Sequence, residues 1–135
     1  MFLGKKMSNL YSDHVKEVKR KSDRDVFLIL FKAIPCEDNE EFGKLGGAYV
    51  SCWVNAETLK EAEVLALESI EKEKWKPEKL ENWELVNEET YTEDSELSEE
   101  EAEEYRDCLL NALEHGITLS FHCWPIDVGE KDIRP

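Results

Sequence analysis

Apolar and polar positions along the chain fall into segments of distinct period, each of which predicts one element. Val26-Phe-Leu-Ile-Leu-Phe31 is an unbroken apolar run, and with its flanks it predicts a strand from Asp25 to Pro35. The lack of alternation implies burial on both faces. A polar loop follows from Cys36 to Gly47, with Gly43, Gly46 and Gly47 as breakers. Ala48 to Asn55 predicts a second strand, the hairpin partner of the first.

The period then changes from two to that of a helix. Thr58 with Glu61 three residues later has the form of a capping box. Leu59, Ala62, Ala66, Ser69, Ile70 and Glu73 share one helical stripe, apolar until its last turn, with Leu65 flanking it, and Pro77 either stops the helix or lies just past its end. Trp83 to Val86 predicts a third strand, followed by an acidic connection with room for a short edge strand near Thr90–Thr92. Ser98 and Glu101 form a second capping box. Ala102, Tyr105, Cys108, Leu109, Ala112 and Leu113 then trace the apolar stripe of a second helix, with Gly116 as its C-terminal cap. Ile117 to Trp124 predicts the last strand, ended by Pro125.

This order predicts an α+β protein: a two-layer sandwich in which two helices cover one face of a mostly antiparallel sheet. Setting aside the first strand, and granting the edge strand, the order is that of a ferredoxin-like arrangement, with right-handed crossovers. The expected division is a basic N-terminal segment 1–24, flexible or folded back, a single domain 25–125 and a C-terminal tail 126–135.

Strand parity defines the candidate surface. Ile117, Leu119, Phe121 and Cys123 alternate with Thr118, Ser120, His122 and Trp124; Ala48, Val50, Cys52 and Val54 alternate with Tyr49, Ser51, Trp53 and Asn55. The purely apolar sets belong under the helices. Tyr49, Ser51, Trp53, Thr118, Ser120, His122 and Trp124 are then expected on the other face as the candidate binding residues, with Trp83 adjoining. An aromatic face of this kind needs a cover. Three covers satisfy it: a second copy in a dimer, another protein or an organic ligand, or residues 8–24 folded back with Leu10, Tyr11, Val15 and Val18 as their apolar side.

Charge narrows the partners. The 135 residues carry a net charge of −15. Residues 1–24 contain seven bases and three acids, a balance of +4, which leaves −19 for the remainder. Residues 88–104 hold ten acids and no base. A surface this acidic disfavours nucleic acid, and no apolar run is long enough to span a membrane. The N-terminal residues lack the pattern of a secretory signal and the four cysteines lack dense spacing, so a cytoplasmic setting with reduced thiols is expected.

Chemistry-bearing motifs are sparse. No Cys-x-x-Cys, His-x-x-x-His or calcium-loop pattern occurs, so neither metal nor cofactor is expected. His122 and Cys123 are adjacent on a strand and point to opposite faces. The Gly43–Gly47 stretch precedes no helix and reads as a hairpin loop rather than a phosphate cradle.

The expected function is therefore that of a small acidic cytoplasmic protein-interaction module, rather than an enzyme. An inhibitor of a basic protein, of the immunity or antitoxin kind, is one concrete form, since net negative charge speeds encounter with a basic partner. The alternative is a dimer that binds or transforms a small organic ligand at the aromatic face, with His122 as its acid/base group.

Overall fold

The computed structural model describes residues 18–91 and 97–126. They form an α+β fold of four strands and two helices: β1 (Val26–Pro35), β2 (Leu45–Val54), α1 (Leu59–Lys72), β3 (Trp75–Val86), a 3-10 turn at Glu88–Tyr91, α2 (Glu99–His115) and β4 (Ile117–Pro125). The sheet is antiparallel throughout, in the order β3-β1-β2-β4. The apolar run of β1 thus lies at the centre, with β2 and β3 as its neighbours.

The two helices lie on opposite faces, and this corrects the expectation that they share one. Phe27, Ile29, Phe31 and Ala33 of β1, with Ala48, Val50, Cys52 and Val54 of β2, pack beneath Leu59, Ala62, Ala66, Leu67 and Ile70 of α1. Val26 and Trp53, which point the other way, pack with Val86, Tyr91 and the Ala102, Leu109 and Ala112 positions of α2. The continuous apolar run of β1 is the physical reason, because a strand apolar on both sides needs cover on both. The arrangement also departs from a ferredoxin-like one in its strand order, and a 3-10 turn occupies Glu88–Tyr91, where an edge strand was expected to begin.

The connections dictate how far each helix reaches. β2 ends at Val54 beside Phe27, whereas β3 begins at Trp75 beside Pro35, at the opposite end of the sheet. Joining them, α1 runs the length of the strands, and its fourteen residues span about 21 Å. β3 ends at Val86 beside Val26, and β4 begins at Ile117 beside Val54, so both lie at the same end. Accordingly α2 crosses that end of the sheet, and no other helix among the described residues covers the rest of that face.

Local chemistry fixes the helix ends. Ser98 Oγ accepts the Glu101 N–H at 3.1 Å, and Glu101 Oε1 accepts the Ser98 N–H at 3.2 Å, a complete capping box. Thr58 Oγ1 likewise accepts the Glu61 N–H at 3.1 Å, but Glu61 reaches one residue further back, to the Glu57 N–H at 3.2 Å. α1 buries Glu63 and Leu67, and Leu65 is exposed. It stops at Lys72 rather than near Pro77, and Lys74 turns the chain with φ at 66°. Pro77 sits in β3, where an edge strand tolerates the missing N–H.

Of the N-terminal segment, residues 18–24 are described, and they do not cover the open sheet face. The Val18 carbonyl accepts the Leu59 N–H at 3.0 Å, and the Arg20 N–H donates to the Glu57 carbonyl at 3.0 Å, which places them at the start of α1. Leu10, Tyr11 and Val15 lie outside the described residues, as does the tail beyond Ile126.

Candidate functional site

The expected binding residues separate into a covered pair and an open group. Trp53 is only 2% exposed beneath α2. Its indole N–H donates to the Tyr91 hydroxyl at 3.1 Å, and its ring centre lies 5.9 Å from that of Tyr105. Burial pushes the Tyr91 phenol up to about 12. Thr118 is likewise engaged by α2: its hydroxyl donates to the Cys108 carbonyl at 3.0 Å and accepts from Asn111 Nδ2 at 2.8 Å. Both residues are therefore engaged beneath α2, and the others of the expected set lie on the half of the face that α2 does not reach. Trp83 belongs to the opposite face, packed 6.3 Å from Phe27.

Tyr49, Ser51, Ser120, His122 and Trp124 come together on that open half. Cross-strand register sets Tyr49 beside His122 and Ser51 beside Ser120. Trp124 lies diagonal to Tyr49, with their ring centres 5.2 Å apart at a tilt of 54°. Trp124 pairs with Gly47 in register, and a Cβ at Gly47 would stand 2.5 Å from its Cζ2 atom. Glycine is thus required for the indole to lie flat on the strand, which turns the ring toward Tyr49. Tyr49 itself is 41% exposed, and His122 is exposed beside it.

Sequence reasoning missed the contribution of the two other strands. Leu30 pairs with Ser51 and Lys32 with Tyr49, which brings Leu30, Lys32 and Ile34 of β1 to the same face. On β3, Lys79 pairs with Lys32 and Lys76 with Ile34. The open half is therefore an aromatic and hydroxyl floor with lysines along one side, and neither β1, β2 nor β4 contains an acid. The signal that marks them is the alternate set of β1 itself: Leu28, Leu30, Lys32 and Ile34 share one face of that strand.

The acids gather next to this floor. Glu99, Glu100, Glu101, Glu103, Glu104, Asp107 and Glu114 are exposed along α2, on the same side of the molecule. Arg106, the single basic residue of that helix apart from His115, turns inward and donates to the Tyr91 carbonyl. An acidic ridge thus stands beside an aromatic recess.

The thiols offer no activated nucleophile. Burial pushes the thiols of Cys36, Cys52, Cys108 and Cys123 upward, and nearby acids add to this at all but Cys52: Asp38 and Glu71 at Cys36, Glu104 and Asp107 at Cys108, and Glu41 at Cys123. Neutral thiols are poor nucleophiles. Cys52 and His122 belong to opposite faces of the sheet. Among the described residues, no three His, Cys, Asp or Glu side chains gather to hold a metal ion. No helix among them is long and apolar enough to cross a membrane. Comparison with protein-family models, curated proteins and solved structures finds no match to the chain.

Proposed function

We propose that the protein is a small cytoplasmic interaction module that binds another protein through the α2 side of its sheet, with the ridge and the recess acting together. The observation that carries this reading is the exposed Tyr49 packed with the half-buried Trp124, which lies against Gly47, beside a helix whose outer surface is acidic. Aromatic side chains supply rigid contact area at low entropic cost and dominate binding hot spots. The acids of α2 favour a basic element of the partner and speed its approach. An immunity- or antitoxin-like inhibitor of a basic protein is the concrete form of this proposal. Lysines beside aromatic rings also suit a base-stacking sheet, but the acidic ridge on the same side opposes a phosphate backbone.

A photo-crosslinking residue placed at position 49 of the full-length chain tests the reading, with position 68 on the exposed side of α1 as control. The expected result is one protein of net positive charge crosslinked at 49 and not at 68, with the yield falling as salt rises and falling again with Glu103→Lys. Equal crosslinking at both positions, or capture indifferent to salt and to Glu103→Lys, overturns it.

A further inference from the structure

β4 is the last strand of the sheet, and its outer edge is unprotected. The Asn55 N–H donates to the Gly116 carbonyl at 2.9 Å, which fixes the phase of the ladder against β2. In an antiparallel ladder, residues bonded to the neighbouring strand alternate with residues whose groups point away. Thr118, Ser120 and His122 therefore bond to β2, and Ile117, Leu119, Phe121 and Cys123 direct their N–H and C=O groups outward. β4 has no second neighbour in the sheet among the described residues. It carries no Lys, Arg, Asp or Glu and no proline before Pro125, the devices that keep an edge from pairing.

The two helices turn this edge into a groove with unlike walls. Ser69, Lys72 and Glu73 of the α1 end line it on one face of the sheet and Asn111 of α2 on the other, with Leu119 and Phe121 half-buried between them. On the α1 face the floor is apolar, because Ile117, Leu119 and Phe121 pack there against the core, and the charges of Lys72 and Glu73 offset one another. On the α2 face Asn111 bonds Thr118. Asp107 and Glu114, one helical turn before and after Asn111, are exposed on the same side of the helix. Arg106, the single Lys or Arg of α2, turns inward to the Tyr91 carbonyl and does not offset them.

Resting on the function proposed above, we infer that the basic element of the partner is an extended segment of alternating apolar and basic residues, which adds to β4 as an antiparallel fifth strand. In strand addition, main-chain hydrogen bonds give affinity and the sites for alternate side chains give specificity. Residues opposite one another across an antiparallel pair share a face. Those bonded to Leu119 and Phe121 point to the α1 face, onto the apolar floor, and are the apolar set. Those opposite Thr118, Ser120 and His122 point to the α2 face beside Asp107 and Glu114, which select Lys or Arg. A second β4 would offer Thr118, Ser120 and His122 at those positions, without a Lys or Arg, and would bring a further −15 of charge.

A blocked peptide of four Val-Arg pairs is the probe, titrated into the full-length chain with amide hydrogen exchange as the readout. The expected result is slowed exchange at the Leu119 and Phe121 N–H groups. Asp107→Lys combined with Glu114→Lys, both at exposed positions, should weaken binding roughly tenfold or more. The phase of the ladder gives a sharper check. N-methylating the valine amides, which face β4, should abolish binding, whereas N-methylating the arginine amides, which face away, should leave it intact. Equal binding of a Val-Glu peptide, or indifference to the two lysine substitutions or to which amides are methylated, overturns the inference. So do edge amides already protected before peptide is added, whether by a second copy or by the chain's own termini. The probe needs no contact at position 49, so failure here and failure of the crosslink there are separate results.

Discussion

Trp53 and Trp124 project from the same face of one sheet, yet they do different work. Trp53 stands where α2 crosses and is sealed with its indole N–H satisfied by Tyr91. Trp124 stands beyond the helix and lies on Gly47 against a half-exposed Tyr49. The difference shows that parity alone decides which way a ring points, whereas the path of the following connection decides whether the ring is core or surface. Because β3 leaves the sheet at the end where β4 enters, α2 covers that end and no more.

The contrast is broken most directly at the two rings. Trp53→Ala should destabilise the protein by about 3–5 kcal/mol, as expected for a large aromatic removed from a packed core. Trp124→Ala should cost less than half as much. Urea denaturation of the two variants measures both, and equal costs would erase the distinction between the halves.

A smaller effect sharpens the open half. Gly47→Ala introduces a Cβ 2.5 Å from the Trp124 ring and 3.1 Å from the Ala33 carbonyl oxygen. Overpacking of this kind costs about 1–3 kcal/mol. Most of the cost should disappear when Trp124→Ala is added, because the ring is then absent. A double-mutant cycle reads the coupling, and additivity would mean that the backbone carbonyl, not the indole, enforces glycine.

The smallest effect belongs to the covered half. Tyr91→Phe removes the acceptor of the Trp53 N–H and should cost about 1–2 kcal/mol. The phenol also predicts an alkaline limit. Its pKa rises from 10.0 to about 12 on folding, so the folded state favours the neutral form. That contribution is fully present below pH 10 and is lost as pH rises toward 12. Tyr91→Phe should flatten this part of the stability profile, and an unchanged slope would assign the loss to other groups.

Much of the local structure was legible from residue pattern. The apolar run of β1, the Thr58 and Ser98 caps, the stripe of α2 and the Gly116 terminus follow from spacing and side-chain chemistry close in sequence. β3 was legible only in its second half. Trp75 to Glu81 mixes charge with Pro77 and contains two register shifts against β1, which hides the two-residue alternation. The turn at Lys74 carries no glycine to announce it. Which face each helix takes is a long-range choice, and the sequence marked it only through the doubly apolar β1. The shared face of the candidate residues was legible, since parity places Tyr49, Ser51, Ser120, His122 and Trp124 together, whereas the cover over Trp53 and Thr118 could be known only from where α2 lies.

The central position of β1 has a consequence for how the chain survives its own synthesis. β2 returns to it directly after the loop 36–44, but its other neighbour does not begin until Trp75. Until then the Val26–Phe31 run, uncharged and strongly β-forming, has one bare flank of the kind that seeds aggregates. Arrival of β3 closes that flank with a proline, two irregularities and a row of charges facing outward. The most hazardous stretch of the polypeptide thus ends up shielded by the strand least suited to recruiting another.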